Sequence, residues 1–319
     1  MPPIARALAV LIFSAALALH APHARRRVST NICAASLEEQ LVDGAAPLEA
    51  VDVAAAAAAV RRDGVARVAG PVLPRAAAAT LRARILEEVA NPQRWAAEDM
   101  RVVFGTRLRF DECVELRFDD DTRSDVLLPL EDPLVRGALD LVSEKLREMW
   151  VEASACLPGD GALELVECSA LINWPGSGHQ PAHADFSRID DEDDEDPDDM
   201  PPRLVTFVYL QDTPSLAHGP TTFLLGTANE PAHRLNEFEE EALVGAFACG
   251  LATVDCGHAV VYDASVLHFG AANVVPGNER VVLYITFARA DAAMASAAAR
   301  ADPDFAAMTA VEPISLASL

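Results

Sequence analysis

Two residues near the middle of the chain, His183 and Asp185, have the types and the spacing of a metal-binding pair. They stand in the segment PGSGHQPAHADF, which follows an apolar run typical of a β-strand. Residues i and i+2 of an extended strand point to the same side, so an imidazole nitrogen and a carboxylate oxygen can reach the same ion. An isolated His-x-Asp is common by chance and is then an exposed loop pair, so the prediction depends on a third ligand.

His268 is the candidate for that third ligand. It lies in GHAVVYDASVLHFGAANVVPGNERVVLYITFA, just after a predicted strand and before a turn rich in Gly and Asn. Two histidines and one carboxylate on one face of a metal leave its opposite positions open, which is the arrangement suited to non-haem Fe(II) oxygen chemistry. One carboxylate also leaves a ferrous site with a net positive charge, ready for an anionic chelator.

Arg280 opens the next predicted strand, where alternation puts it on the same face as Val282 and Tyr284. An arginine among such neighbours needs an anion, and its planar fork fits a carboxylate. The alternative is an arginine in solvent at the mouth of the strand, or one paired with Glu279.

The pattern along the chain changes from helical to extended after Gly161, and this change predicts the fold class. Helices are predicted at 45–62, at 75–90 and from Asp132 onward; strands are predicted at Leu163–Ile172, Leu204–Leu210, Thr221–Leu225, Ala259–Asp263 and Arg280–Ala288; a short helix is predicted at Glu237–Phe247. Helices followed by many strands indicate an α+β chain, with N-terminal flanking helices and an antiparallel β-sandwich or jelly roll in the C-terminal half.

The charge of the chain excludes some classes of function. Its 319 residues carry a formal net charge of −24, and nine of the ten residues from Asp190 to Asp199 are acidic. Such a run is typical of a solvated loop, and without a basic patch nucleic-acid binding is disfavoured. The single lysine, Lys145, lies in a helical pattern, which argues against Schiff-base chemistry.

Residues 1–30 contain no acid and have the order of a secretory signal: a basic start, the apolar run Ala7–Leu19 and then small residues. An uncleaved anchor and a two-part signal leading to a plastid are alternatives. We divide the remainder into a linker or flexible segment at 31–54, a main domain at 55–289 that includes the acidic block, and a C-terminal tail at 290–319. No stable membrane span is expected in the mature chain, and the oligomeric state is not predicted.

The six cysteines form no Cys-x-x-Cys pair, which excludes a zinc ribbon. Disulfides in an oxidising compartment and buried free thiols both stay open.

The chain resembles the phytanoyl-CoA dioxygenase branch of the Fe(II)/2-oxoglutarate-dependent oxygenases. Four segments are similar in the same order: VRRDGVARVAGPVLPRAAAATLRARILEEV, PGSGHQPAHADF, VYLQDTPSLAHGPTTFLLGT and the segment that contains the distal histidine and the arginine. The resemblance covers about residues 55–289, and its last segment is the most specific. It implies a double-stranded β-helix, the jelly-roll core of that superfamily.

By this resemblance His183, Asp185 and His268 would hold Fe(II), and Arg280 would bind the distal carboxylate of the co-substrate 2-oxoglutarate. The implied reaction uses O₂ and hydroxylates a C–H bond of a small molecule or a side chain. Two departures concern the pocket: His218-Gly219 stands where the family has Asn-Gly, and Ala228 stands where a histidine is usual. The alternatives are a prolyl-hydroxylase-like oxygenase acting on a protein and a catalytically silent jelly roll that binds a ligand.

Overall fold

The computed structural model describes residues 36–90, 106–107, 123–157, 161–185, 202–290 and 314–319. The predicted targeting segment and the acidic block lie outside the described residues.

Five α-helices form within the described residues, and most begin at a residue that caps them. They are α1 (Leu37–Val42), α2 (Val53–Asp63), α3 (Arg75–Val89), α4 (Pro133–Ala153) and α5 (Glu230–Phe238), with short 3₁₀ turns at Ser154–Cys156, Glu240–Leu243 and Leu316–Ser318. The side chain of Asp52 accepts a hydrogen bond from the N–H of Ala55 at the start of α2. Asp132 caps α4 in the same way, and Pro133 occupies the first turn, where its missing N–H costs nothing.

Thirteen strands within the described residues form two sheets. They are β1 (Ala46–Pro47), β2 (Ala50–Val51), β3 (Val65–Val68), β4 (Thr106–Arg107), β5 (Arg123–Leu127), β6 (Leu163–Asn173), β7 (Arg203–Tyr209), β8 (Thr221–Leu224), β9 (Cys249–Leu251), β10 (Ala259–Asp263), β11 (His268–Gly270), β12 (Arg280–Arg289) and β13 (Ile314–Ser315). The large sheet has the order β2-β3-β10-β7-β12-β6-β5-β4, with β13 also paired to β6, and the small sheet has the order β1-β9-β8-β11.

The two faces of the large sheet have different partners, which makes the fold a layered α+β structure around a jelly roll. One face, which includes Leu204, Val208 and Leu283, packs against α2, α3 and α4 in the main hydrophobic core. The other face, which includes Val205 and Val282, packs toward the small sheet in a second apolar cluster. We call this second side the inner face, and the space between the two sheets contains the candidate site.

The structure confirms the predicted fold class: a double-stranded β-helix with flanking helices. Within the predicted linker, however, it places α1 and two short strands that pair with the core, Ala46 opposite Gly250 and Ala50 opposite Arg67. The helix predicted from residue 45 therefore begins at Val53. At the other end, Ile314 of the predicted tail pairs with Leu165 of β6.

Three cysteines of the described residues, Cys168, Cys249 and Cys256, are free thiols. Burial raises the pKa of Cys168 to about 12, so this thiol stays protonated. No helix among the described residues has the length and apolarity needed to cross a membrane.

Candidate metal centre and anion site

The structure brings His183, Asp185 and His268 together, although up to 85 residues separate them in the sequence. One donor atom from each lies within 4.8 Å of the other two. The Oδ1 atom of Asp185 is 3.9 Å from Nε2 of His183 and 3.7 Å from Nε2 of His268. Metal–nitrogen and metal–oxygen bonds are about 2 Å long, so an ion held by all three donors would draw them somewhat closer together than they lie here.

Both imidazoles are held with the same nitrogen turned toward the site. Nδ1 of His183 lies 2.8 Å from the carbonyl oxygen of Pro181, and Nδ1 of His268 lies 3.0 Å from that of Val266. A carbonyl oxygen only accepts hydrogen bonds, so the ring proton is on Nδ1 and the Nε2 lone pair is available for a metal. Burial lowers the pKa of His268, which favours the neutral form that metal binding requires.

Tyr262 orients the third donor. Its fully buried side chain donates a hydrogen bond of 3.0 Å to Oδ2 of Asp185, while Oδ1 is the oxygen nearest the two histidines. The Tyr262 ring also lies 5.1 Å from the ring of His268, centroid to centroid. Burial, followed by the negative charge of Asp185, raises the pKa of Tyr262 well above its ordinary value, so the phenol keeps the proton that it donates.

Backbone pairing joins the segment that carries His183 to β11. His183 and His268 exchange both backbone hydrogen bonds, at 2.9 and 2.7 Å. Gln180 donates its N–H to the carbonyl of Gly270 at 2.9 Å, and its side-chain oxygen accepts the N–H of Gly270 at 2.9 Å. A Cβ on Gly270 would lie 2.5 Å from that side-chain oxygen, so a larger residue there would displace the Gln180 side chain from this contact. Arg123 of β5 adds a hydrogen bond of 2.7 Å to the carbonyl of Gly178.

The centre is open on one side. The side chain of His268 is 6% exposed and that of Asp185 is 13% exposed, whereas that of His183 is 32% exposed. An ion at this place would therefore be covered on the His268 side and reachable from the side of His183.

Arg280 lies inside the jelly roll without a carboxylate partner among the described residues. The residue is 5% exposed, and its Nε has no hydrogen-bond partner there. Its Nη1 lies 3.5 Å from the hydroxyl oxygen of Thr221, and burial lowers its pKa while the neighbouring Tyr209 raises it. The sequence-based alternative of a pair with Glu279 is excluded, because Glu279 instead pairs with Arg82 at 3.2 Å.

The distance between the guanidinium of Arg280 and the metal-binding triad suits a short dicarboxylate. Thr221, the neighbour of Arg280, pairs with Gly270 on β11, and Phe223 pairs with His268. Two residues along a strand cover about 7 Å. A small chain with an acid at each end can therefore join the guanidinium to the metal-binding triad.

Three further residues, Asn273, Trp174 and His258, have positions that indicate a structural role. Asn273 donates from its side chain to the carbonyls of Asn173 and Asn278, as expected of a residue that stabilises a turn. Trp174 donates to Ser124 and packs against the main core. His258 lies directly before β10, next to the turn at Cys256 and Gly257.

The sequence analysis did not assign three residues that shape the site. These residues are Tyr262, Tyr209 and Thr221. Alternation along β7 was the available signal for Tyr209, because it puts this residue on the same face as Val205. No pattern in the sequence could have placed it beside Arg280, which lies on the neighbouring strand β12 of the same sheet.

No family model matches the sequence, and no curated protein matches it either. Solved structures do match the fold. AviO1 from Streptomyces viridochromogenes Tue57 has 21% identity and a TM-score of 0.49, covering 75% of this chain and 96% of AviO1. HygX from Streptomyces hygroscopicus, with nickel and 2-oxoglutarate bound, has 14% identity and a TM-score of 0.46, covering 72% of this chain and 85% of HygX.

SnoN, from nogalamycin biosynthesis, has 17% identity to this chain and a TM-score of 0.50, with 75% of this chain and 83% of SnoN covered. At that identity the likeness concerns the fold. The jelly-roll fold of this chain is thus similar to that of a non-heme alpha ketoglutarate dependent epimerase, SnoN.

Proposed function

We propose that this chain is a non-haem Fe(II)/2-oxoglutarate-dependent oxygenase that hydroxylates a C–H bond of a small molecule or a side chain. The observation that carries the proposal is the pairing of two features inside one jelly roll. One is the set of donors on His183, Asp185 and His268, and the other is the buried guanidinium of Arg280, which has no acid partner among the described residues.

The donor set fits iron. Two neutral imidazoles and one carboxylate form the facial arrangement that binds non-haem Fe(II) and leaves positions open for a co-substrate and O₂. Bound Fe(II) supplies the O₂ chemistry that couples decarboxylation of 2-oxoglutarate to oxidation of a C–H bond. The carboxylate of Asp185 argues for hydroxylation over halogenation, because a bound halide needs that place on the metal.

The protein side chains supply positioning and a dry cavity. Arg280 would hold the distal carboxylate of 2-oxoglutarate through charge-assisted hydrogen bonds, with Thr221 and Tyr209 beside it. Apolar residues of the inner face, including Val282 and Phe223, exclude water around the co-substrate. Tyr262 keeps one oxygen of Asp185 directed toward the metal.

Anaerobic titration of the purified chain with Fe(II) and then with 2-oxoglutarate tests the proposal. We expect a weak visible charge-transfer band only when both are present, followed by succinate release in air. A catalytically silent jelly roll that binds some other ligand would give neither signal, and that outcome would refute the oxygenase assignment.

Arg280→Ala tests the co-substrate site independently of the metal site. Loss of a buried charged partner should weaken 2-oxoglutarate binding by about 100-fold or more while Fe(II) affinity stays near that of the wild type. Arg82→Ala is the matched control, because Arg82 pairs with the adjacent Glu279 outside the cavity. Normal 2-oxoglutarate use by Arg280→Ala would contradict the anion-site assignment.

We further propose that residues 1–30 direct the chain into the secretory pathway, with a plastid reached through a two-part signal as the alternative. The support is the sequence alone, namely the basic start, the apolar run and the absence of acids. Sequencing the N-terminus of the protein purified from its native cells checks this: a start near residue 30 is expected, and an intact Met1 would contradict it.

A further inference from the structure

A buried asparagine at the end of β6, Asn173, connects three parts of the site: the metal-binding loop (residues 174–185), β11 and the start of β12. The residue is 1% exposed, and the strand register places it directly opposite Arg280. The next pair on the same face is Leu171 with Val282, and both of these residues pack in the inner cluster. Asn173 is therefore an inner-face neighbour of the proposed anion site.

The side-chain amide of Asn173 forms hydrogen bonds with both segments that carry the histidine ligands. Its Oδ1 accepts a hydrogen bond from the hydroxyl of Ser177, which lies in the metal-binding loop six residues before His183. Its Nδ2 donates to the carbonyl oxygen of Ala271 at 3.3 Å, three residues after His268. One side chain therefore holds both segments against the end of β6.

The backbone of Asn173 holds the turn that leads from β11 to Arg280. Its carbonyl oxygen accepts a hydrogen bond of 2.8 Å from the side-chain amide of Asn273, which also donates at 2.6 Å to the carbonyl of Asn278, two residues before Arg280. The backbone N–H of Asn273 donates to the carbonyl of Ser177 at 3.1 Å. Asn273 is fully buried, so these hydrogen bonds are shielded from water.

The loop before β8 packs tightly against the same amide. A Cβ on Gly219 would lie 2.8 Å from Nδ2 of Asn173 and 3.0 Å from the carbonyl oxygen of Ala271, and the φ of Gly219 is +66°. Gly219 stands two residues before Thr221, whose hydroxyl lies beside Arg280. The amide of Asn173 thus contacts the segments on both sides of the space between the guanidinium and the metal-binding triad.

We propose that Asn173 is a positioning residue that fixes the distance between Arg280 and the metal-binding triad, and that it thereby sets the length of dicarboxylate that the chain accepts. The inference rests on the proposed function for the identity of the co-substrate. A molecule that joins two fixed points is selected by its length, because a longer one must displace one of the points. Buried amide hydrogen bonds resist this displacement, since breaking them leaves buried donors and acceptors without partners.

A purely structural role for Asn173 makes a different prediction. Two dicarboxylates that differ in length need the same folded state, so a loss of stability alone lowers the melting temperature and leaves the ratio of their affinities unchanged. A positioning role changes that ratio.

The experiment compares the affinities of the chain for 2-oxoglutarate and for 2-oxoadipate, which is one methylene longer. The full-length chain is loaded with Zn(II), and both affinities are measured by isothermal titration. The wild type should prefer 2-oxoglutarate by about 10- to 200-fold, and Asn173→Ala should lower this preference by about 10-fold. Zn(II) affinity should stay within about 3-fold, because His183 and His268 keep their own backbone hydrogen bonds.

Two further variants complete the comparison. Ser177→Ala removes the hydroxyl that donates to Asn173, and it should lower the preference in the same direction. It is the milder change, so it decides the question if Asn173→Ala does not fold. Thr206→Val is the structural control, because it breaks a buried hydrogen bond of 2.8 Å with Trp150 on the outer face of the sheet. It should lower the melting temperature and keep the wild-type preference.

The outcomes separate the inference from the proposed function. A wild-type preference in both Asn173→Ala and Ser177→Ala overturns the inference, as does an equal fall in Thr206→Val or a wild type that binds both dicarboxylates equally. A wild type that binds Zn(II) and neither dicarboxylate refutes the proposed function, and the inference with it.

Discussion

At the scale of single residues, the two carboxylate oxygens of Asp185 have different partners. Oδ2 accepts the phenol proton of Tyr262, and Oδ1 is the oxygen nearest the two Nε2 atoms. A carboxylate without this contact can rotate and offer either oxygen. The tyrosine therefore fixes which oxygen a metal would meet, and the cost of ordering the carboxylate is met when the protein folds.

Tyr262→Phe tests this role with little change in packing, because the ring and its contacts with Phe207 and Phe223 are kept. Loss of the hydroxyl should weaken Fe(II) or Zn(II) affinity by about 10-fold or more, as is usual for groups that orient metal ligands. Isothermal titration with a competing chelator measures the change. Tyr284→Phe, which removes a hydroxyl from the same sheet face, should leave metal affinity near the wild-type value. Equal affinity in the wild type and Tyr262→Phe would show that the hydrogen bond does not position Asp185.

At the scale of elements, the metal-binding loop is ordered by contacts with its neighbours. His183 makes one bridge to β11, and Gln180 supplements it by pairing with Gly270 through both backbone and side chain. These contacts hold the two ligand-bearing segments side by side. A substitution that disturbs β11 should therefore change the affinity for the metal.

Gln180→Ala removes the side-chain acceptor and leaves the N–H of Gly270 without it. The expected loss is about 1–3 kcal/mol in the free energy of unfolding, together with weaker metal binding, because the loop loses a contact with β11. Urea unfolding and metal titration measure the two effects. Gln180→Glu keeps an acceptor oxygen and should recover most of the stability. A Gln180→Ala protein as stable as the wild type would show that the hydrogen bond between Gln180 and Gly270 does not stabilise the loop.

The strand elements were the most predictable part of the fold, for a physical reason. A strand that is buried on both faces is a continuous run of β-branched and apolar residues, so Arg280–Ala288 is visible locally, and the structure has a buried strand at Arg280–Arg289. The helix predicted at 237–247 is observed at Glu230–Phe238, although its start signal, Asn229 followed by Glu230 and Pro231, is present in the sequence. The strands near residues 46–51 were not predictable, because their partners at 250–251 and 67–68 are set by the tertiary fold.

The candidate site also has a part that could be predicted from the sequence and a part that depends on the tertiary fold. The residues that form its pattern, His183, Asp185, His268 and Arg280, were predicted from residue type and spacing, and the structure brings the first three together. Contacts between sheets, such as Tyr262 with Asp185, depend on how strands distant in sequence face each other. Such contacts leave no periodic signal in one sequence.

At the scale of the whole molecule, helices α2, α3 and α4 cover the outer face of the large sheet, and α4 contributes many buried residues to this layer. Trp150 is fully buried, donates its Nε1–H to the hydroxyl of Thr206 at 2.8 Å and lies 4.6 Å from the ring of Phe287. Thr206 and Phe287 belong to the two strands that also carry the inner-face residues of the cavity. The helix therefore supports the wall behind the site without contributing to its chemistry.

Trp150→Ala should remove this support and lower the free energy of unfolding by about 3–5 kcal/mol, the usual cost of deleting a large buried aromatic side chain. Val151→Ala on the same helix is the matched control, because Val151 is 58% exposed and its loss should cost less than about 0.5 kcal/mol. Urea unfolding measures both. Metal titration of the folded Trp150→Ala protein should give near wild-type affinity, since the triad is built on the small sheet and its adjoining loop. A loss of metal affinity larger than that of Tyr262→Phe would instead show that the outer helix layer determines the geometry of the centre.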